Sequence, residues 1–288
     1  MGAEINTSNA RSTQRQGGGS DAAFLAGLSI IGGLYLFLIV AMVLADTAFI
    51  SPRHIWQALG SAEIRYAIRL SLISCSVAAI LSLWVAVPLG YLMSRQQFAG
   101  KGLLDAILDI PIVLPPLVIG LSLLILFQFK IGSSTIDDFF NNRLGLPVTY
   151  AIPSVILAQF AVAAAFAVRT MRVTFDQINP RNEQVALTLG CTRRQAFWSV
   201  VLPEARRGVL TAATLAWARS LGEFGPILIF SGATRMKTEV LSTTVYLELS
   251  VGHIEAAVAV SLLMIAAAIL VLLVLRFFGA EETFGKAV

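Results

Sequence analysis

Six long apolar stretches are the feature that most constrains how this chain folds. A helix needs about 20 apolar residues to cross the hydrocarbon core of a bilayer. The chain is 57% hydrophobic and only 13% charged, whereas soluble domains carry roughly a quarter charged residues. We therefore predict an all-α membrane protein with about six transmembrane helices. They are expected at residues 23–45, 67–93, 104–128, 150–170, 208–231 and 255–278.

The distribution of Lys and Arg predicts the orientation of these helices, because short cytoplasmic loops are enriched in both residues. One side receives Arg95, Lys101, the Arg-rich loop 172–207 and both chain termini. We expect this side to be cytoplasmic in a prokaryotic inner membrane. The transmembrane domain 22–280 then lies between a disordered tail, 1–21, and a short tail, 281–288. This loop bias also accounts for the net charge of +4 without nucleic acid as a partner.

The first apolar run continues from Ala22 to Ala45. A signal-peptide core is only about 7–15 residues long. We therefore interpret this run as a retained spanning helix rather than a cleaved leader.

The sequence contains few residues that could perform catalysis or bind a metal. Its two cysteines, Cys75 and Cys191, lie in opposite environments, which argues against a disulfide, and its two histidines have no second ligand at helical spacing. Neither a phosphate-binding G-x-x-x-x-G-K-[ST] loop nor a hydrolase motif is present. We therefore predict no catalytic residues, no metal site, no cofactor and no enzymatic activity of the chain itself.

The loop 172–207 has the pattern of two short helices. Asn179 is a suitable N-cap before Pro180, and Val185, Ala186 and Leu189 share one helical face. Gly190 is expected to end this first helix, since glycine accepts the left-handed conformation. Thr192 and Gln195 then form a predicted capping box for a second helix, which Leu202-Pro203 is expected to end.

Two interpretations of this loop remain open from the pattern alone. A rigid amphipathic pair of helices is suited to a groove on a partner protein. A helix lying on the lipid surface has a similar pattern. Its basic and aromatic anchors would be Arg193, Arg194, Trp198, Arg206 and Arg207.

The segment from Glu183 to Gly190, followed by Phe197 and Leu202-Pro203, resembles the EAA loop of ATP-binding-cassette (ABC) importer permeases. The usual pattern is E-A-A-x-x-x-G with a Leu-Pro pair about a dozen residues later. Gln184 stands at the usual Glu position and Val185 at the first Ala. The resemblance implies a type I importer permease fold whose loop docks into a separate ATPase. The residues expected to couple to it are Glu183, Gln184, Ala186, Leu189, Gly190, Phe197, Leu202 and Pro203.

Two further segments, Pro111 to Pro116 and Arg219 to Gly225, resemble the molybdate, sulfate and tungstate permease group. The resemblance implies import of an oxyanion, with molybdate or tungstate ahead of sulfate, by alternating access. The expected partners are an ABC ATPase that binds the ATP, an extracytoplasmic binding protein and membrane lipid. One docking loop per chain predicts a homodimer.

Charged residues within the predicted spans are candidates for the translocation path, because such residues almost always face a bundle interior or water. Arg219 and Glu223 are four residues apart and share a helical face. With the flanking Gly222, Gly225 and Pro226 they line the predicted path or gate, although a purely structural ion pair is the alternative. Asp105 and Asp109 are expected to be charges at a helix N-terminus rather than proton carriers.

Two other functions compete with an importer permease. An ion-coupled secondary transporter would use Arg219, Glu223, Asp105 and Asp109 to handle protons or ions, but we see no inverted repeat. A membrane-bound enzyme or assembly factor would use the Arg-rich loop as a regulatory platform. The polar segment 232–254 contains apolar residues and is expected to be re-entrant or to lie on the surface.

Overall fold

The computed structural model describes residues 17–132 and 134–284. The helices are α1 (Gly17–Phe49), α2 (Pro52–Gly60), α3 (Ala62–Arg95), α4 (Lys101–Val113), α5 (Pro116–Gln128), α6 (Ile136–Leu144), α7 (Ile152–Gln177), α8 (Pro180–Thr188), α9 (Arg193–Ala196), α10 (Leu202–Leu221), α11 (Gly225–Phe230), α12 (Leu241–Val251) and α13 (Ile254–Phe284). Two short antiparallel strands, β1 (Lys130–Ile131) and β2 (Ser134–Thr135), precede α6. The architecture is therefore α-helical, as predicted.

The chain divides into two compact units, of which the first ends at Ser51. Its helix α1 exposes apolar side chains from Phe24 onward and is long enough to span a membrane. The helix begins at Gly17, and the division of the chain into a tail, 1–21, and a domain, 22–280, stays a prediction. The rest of both predicted tails, residues 1–16 and 285–288, lies outside the described residues.

The second unit is organised around α3, α7 and α10, which pack against one another. The buried faces of these helices are rich in small side chains, which allow helices to approach closely in a membrane. Those lining α3 and α7 include Ala67, Ala78, Ala86, Ala158 and Ala163. A larger apolar cluster, which includes Val155, Ile227 and Phe230, joins α7 to α11.

The third predicted span is a broken helix. The helices α4 and α5 meet at Leu114-Pro115 with an angle of 112° between them. Pro115 prevents a continuous helix because it disfavours a helical conformation at Leu114 and lacks an N–H. The third predicted span, 104–128, is therefore divided into two helices at this proline.

The fifth predicted span is divided as well. Helix α10 ends at Leu221, and α11 begins at Gly225 after a break of three residues. Among the described residues, four helices are long and apolar enough to cross a membrane, or five if α4 and α5 count as one span. The number of six spans stays a prediction.

Segment 232–254 contains α12, which has 11 residues and is too short to span a bilayer as a helix. It packs against α3 and α13. The N–H of Leu241 donates to Ser71 Oγ on α3 at 2.8 Å. Helix α12 is therefore held to the helical core by its first residue.

Candidate functional site

Residues 178–201, which we term the EAA segment, fold as the local pattern predicts. Asn179 caps α8 by accepting a hydrogen bond from the N–H of Arg181. Gly190 has a φ of 92°, and the N–H of Cys191 reaches back to the carbonyl of Ala186. This is the left-handed glycine turn expected at a helix end. Thr192 and Gln195 form the predicted capping box.

The second helix of the segment does not end at Leu202-Pro203, and that prediction is wrong. Residues 197–201 form a π-helical turn that leads directly into α10. The N–H of Leu202 bonds to the carbonyl of Phe197, five residues back. Pro203 lacks an N–H and would clash with a regular preceding turn, and the wider π-helical turn provides the space for its ring. The segment is therefore continuous with α10.

Glu183 attaches the segment to α3. Its Oε1 accepts a hydrogen bond of 2.5 Å from the Tyr91 hydroxyl, and its Oε2 lies 3.5 Å from Arg95 Nε. Arg95 Nη2 also donates to the carbonyl of Ile178 at 2.9 Å. The side chains of Arg95 and Glu183 are only 10% and 13% exposed. This carboxylate therefore points towards the bundle rather than towards a partner.

An aromatic cluster supports the same attachment. The rings of Tyr91 on α3 and Phe197 are 4.8 Å apart between centroids, with an edge-to-face arrangement. The buried ring of Phe175 on α7 packs 5.6 Å from Tyr91 and 6.4 Å from Phe197. Such aromatic pairs contribute about 0.5–1.5 kcal/mol beyond their burial. The segment is therefore fixed to both α3 and α7.

The other predicted coupling residues divide between two faces of α8. Ala186 is buried against the protein, whereas Val185 and Leu189 are 56% and 80% exposed. Gln184 and Gly190 are also exposed. The face that these three residues are predicted to share is therefore divided, because the alanine lies inward and the two larger residues lie outward. The outward residues form an apolar patch available to a partner.

Arg219 and Glu223 form the predicted ion pair. Arg219 Nη1 lies 2.5 Å from Glu223 Oε2, and the guanidinium lies 5.8 Å from the centroid of the Phe166 ring on α7. Glu223 is 1% exposed, and its Oε1 has no hydrogen-bond donor among the described residues. A buried oxygen without a donor is costly. The break between α10 and α11 therefore contains a charge that is only partly satisfied.

The other predicted gate residues lie where α11 crosses α5. A Cβ atom on Gly225 would lie 3.0 Å from the backbone N of Leu117, and one on Gly120 would lie 2.7 Å from Pro226 Cα. The backbones of α5 and α11 thus approach each other closely at Gly225. No such approach occurs at Gly222, where nothing lies nearer than 3.9 Å. Two broken helices therefore cross at their breaks with no room for side chains.

Asp105 and Asp109 are not charges at a helix N-terminus, and that prediction is wrong. Helix α4 begins at Lys101 with no acidic residue in its first turn. Asp105 forms an ion pair with Arg172 on α7, and Asp109 lies 3.6 Å from Arg169 on the same helix. These cross-helix partners are distant in sequence, so their pairing has no local signal.

The geometry defines two separate regions: the EAA segment at one end of α3 and α7, and the crossing of α5 with α11. Within residues 17–132 and 134–284 no group of three His, Cys, Asp or Glu side chains could hold a metal ion. Both cysteines are free, Cys75 buried and Cys191 exposed. Sequence reasoning missed the anchoring role of Tyr91 and Phe175 because neither lies within a motif.

A two-helix segment fixed to a bundle with broken helices indicates the class of ABC importer permeases. The family model of the binding-protein-dependent transport system inner membrane component matches residues 86–280. The chain belongs to this family of multi-pass inner-membrane proteins.

The chain has relatives that are named for sulfate transport and for molybdate/tungstate transport. The chain is 31% identical over 258 residues to the sulfate transport system permease protein CysT of Escherichia coli, covering 88% of this chain and 90% of the relative. It is 37% identical over 163 residues to the molybdate/tungstate transport system permease protein WtpB of Pyrococcus abyssi, covering 57% of this chain and 59% of the relative.

Solved structures have the same fold at low sequence identity. A bacterial ABC transporter involved in the import of alginate matches with a TM-score of 0.71 and 18% identity, covering 91% of this chain and 96% of that chain. The MetNI methionine ABC transporter matches with a TM-score of 0.59 and 18% identity, covering 82% of this chain and 99% of that chain. Both likenesses concern the fold.

Proposed function

We propose that this chain forms the translocation path of an ABC importer for a small inorganic oxyanion, driven by a separate ATPase. The observation that carries the proposal is the EAA segment, which presents Val185 and Leu189 outward while Glu183 and Phe197 attach it to α3 and α7. An element that is fixed on one side and apolar on the other transmits force between a partner and the bundle.

The contact with the ATPase is formed by residues whose side chains or backbone are exposed, namely Gln184, Leu189 and Gly190. Glu183, Ala186 and Phe197 transmit its movement, and Leu202 and Pro203 continue it into α10. Since α10 leads to Glu223, this continuity links the segment to the break before α11. Closure of the ATPase would then move the α10–α11 break in an alternating-access cycle. Such a shift requires that the ATPase binds the two permease conformations with different affinity.

The path itself is assigned to the region of Arg219, Gly222, Glu223, Gly225 and Pro226. Tight packing at Gly225 and Pro226 suits a closed gate, because a small movement of α11 against α5 would open it. Arg219 provides a positive charge beside the gate, and its ion pair with Glu223 weakens the attraction of this charge for an anion. A fully paired Arg would hold a dianion weakly, which favours release over retention.

A small oxyanion is the proposed solute because the two relatives described above are named for sulfate and for molybdate or tungstate. We place molybdate or tungstate ahead of sulfate, as the sequence resemblance suggests. Two copies of the chain, two ATPase subunits and an extracytoplasmic binding protein complete the proposed assembly. Selectivity among these anions would then depend on the binding protein.

Substitution of Leu189 tests the coupling. Leu189→Asp changes a side chain that is 80% exposed, so it should leave the fold intact. We expect loss of ATPase binding and of ATP-dependent uptake of labelled molybdate, tungstate and sulfate by cells or proteoliposomes. Leu144→Asp, at a residue 58% exposed on α6, is the matched control and should transport normally.

Two results would reject the proposal. One is normal ATP-dependent uptake by Leu189→Asp. The other is uptake driven by a proton or sodium gradient without ATP, which would favour an ion-coupled secondary transporter. If molybdate, tungstate and sulfate competed equally for uptake, only the proposed order of preference would be overturned.

A further inference from the structure

A groove lies between the end of α3 and the EAA segment. It has a volume of about 880 Å³. Its lining residues include Trp84, Pro88 and Leu92 on α3 and Arg193, Arg194 and Trp198 on the segment. The groove thus joins a membrane-facing helix to a basic turn.

The wall of the groove formed by α3 is apolar and open. Trp84 is 77% exposed and Leu92 is 41% exposed, while Trp198 on the opposite side is 60% exposed. Tryptophan is enriched where a membrane meets water, because its ring is apolar but carries an N–H donor. The positions of Trp84 and Trp198 therefore suit contact with a lipid at the membrane surface.

The opposite end of the groove is positively charged. Arg193 and Arg194 are exposed residues at the start of α9. No described carboxylate forms an ion pair with either guanidinium. Arg is well suited to phosphate, since its planar guanidinium donates two parallel hydrogen bonds to it. Two unpaired arginines beside an apolar groove are complementary to a ligand with both an anionic and an apolar part.

We infer that this groove binds an acidic phospholipid, with its acyl chains along Trp84, Pro88 and Leu92 and its phosphate at Arg193 and Arg194. Basic pockets between membrane helices on the cytoplasmic side bind anionic headgroups in this way. A free anion would leave the apolar wall uncovered. The proposed ATPase contact at Gln184, Leu189 and Gly190 lies outside the lining of the groove.

The site also bears on the EAA segment. Phe197 lines the groove and packs against Tyr91, so a bound lipid would contact the attachment of the segment to α3. Binding itself requires neither the ATPase nor the transported solute. A failure of the lipid site therefore leaves the proposed transport function untouched.

Lipid binding by the full-length protein tests the inference. Native mass spectrometry would count phosphatidylglycerol and phosphatidylcholine retained from an equal mixture in detergent. We expect the unmodified protein to prefer phosphatidylglycerol. The double variant Arg193→Gln/Arg194→Gln should lose roughly thirtyfold in this preference, given the usual contribution of a basic residue near an anionic lipid surface. Arg193→Lys/Arg194→Lys should keep most of it.

A matched control removes two positive charges elsewhere. Lys130→Gln/Arg143→Gln changes two exposed residues near α6 and should leave the preference unchanged. An equal loss in the control would overturn the inference, as would an unmodified protein without preference. It would also be overturned if Arg193→Gln/Arg194→Gln kept the lipid preference but lost ATPase binding, because the arginines would then belong to the ATPase contact.

Discussion

Removal of one hydroxyl should weaken the connection between the EAA segment and the bundle. In Tyr91→Phe the ring stays packed on Phe175 and Phe197, and only the 2.5 Å hydrogen bond to Glu183 is lost. A hydrogen bond to a charged group contributes about 1.5–3 kcal/mol. Because Glu183 is only 13% exposed, solvent replaces the lost donor poorly. We expect a loss of stability in this range.

The assay combines thermal unfolding in detergent with uptake per ATP hydrolysed in proteoliposomes. Tyr91→Phe should unfold earlier and transport less solute per ATP, with ATPase binding retained. In a double-mutant cycle with Glu183→Ala, the two effects should be non-additive by at least about 1 kcal/mol, because both remove the same bond. Tyr66→Phe is the control, since its hydroxyl donates to the Lys237 carbonyl at the other end of α3. Additive effects, or an equal transport loss in Tyr66→Phe, would refute the anchoring role.

Three further predictions concern other parts of the molecule. Gly120→Ala should destabilise the protein by about 1–3 kcal/mol and reduce uptake, because the added Cβ would meet the Pro226 backbone. Gly102→Ala is the control, since nothing lies within 4 Å of its added Cβ, and it should change neither stability nor uptake. Thermal unfolding distinguishes the two variants. Asp109→Arg should lower uptake through repulsion from Arg169 at a stability cost below about 1 kcal/mol, and the added exchange Arg169→Asp should restore uptake. Hydrogen bonds with Thr135 lower the pKa of Asp138. The ionised carboxylate should therefore stabilise α6 above the usual aspartate pKa of 3.8, and this stabilisation should be lost as the pH falls below 3.8. Hydrogen exchange of α6 measured against pH should show this dependence in the unmodified protein and lose it in Asp138→Asn.

Local signals predicted the elements that depend on neighbouring residues. The caps at Asn179 and Thr192 and the turn at Gly190 all use side-chain or backbone contacts within a few residues. The interruption of span three by proline is also local, although Pro111 stays inside α4 and only Pro115 breaks the helix. These features follow from conformational preference and the loss of an N–H donor.

Contacts between distant segments escaped the sequence. The bond between Tyr91 and Glu183 joins residues 92 positions apart, and the pairing of Asp105 with Arg172 joins residues 67 apart. Helical spacing and the EAA motif do not distinguish an inward from an outward side chain. The sequence therefore places Glu183 among the residues that couple to the ATPase, whereas its side chain faces α3. The sequence did not reveal that the helix continues through Pro203 into α10, because the π-helical turn before it has no recognised sequence signal.

The central claim is that the EAA segment lies in the cytoplasm and contacts a separate ATPase. Cys191 tests it directly, since this exposed thiol directly follows Gly190, whereas Cys75 is buried. A reagent that links thiols to amines should join Cys191 to the ATPase in membranes, and Cys191→Ser should abolish the product. The same reagent should give no such product from Leu144→Cys in the Cys191→Ser background. An ATPase adduct from Leu144→Cys alone, or labelling of Cys191 by an impermeant thiol reagent added outside intact cells, would contradict the account.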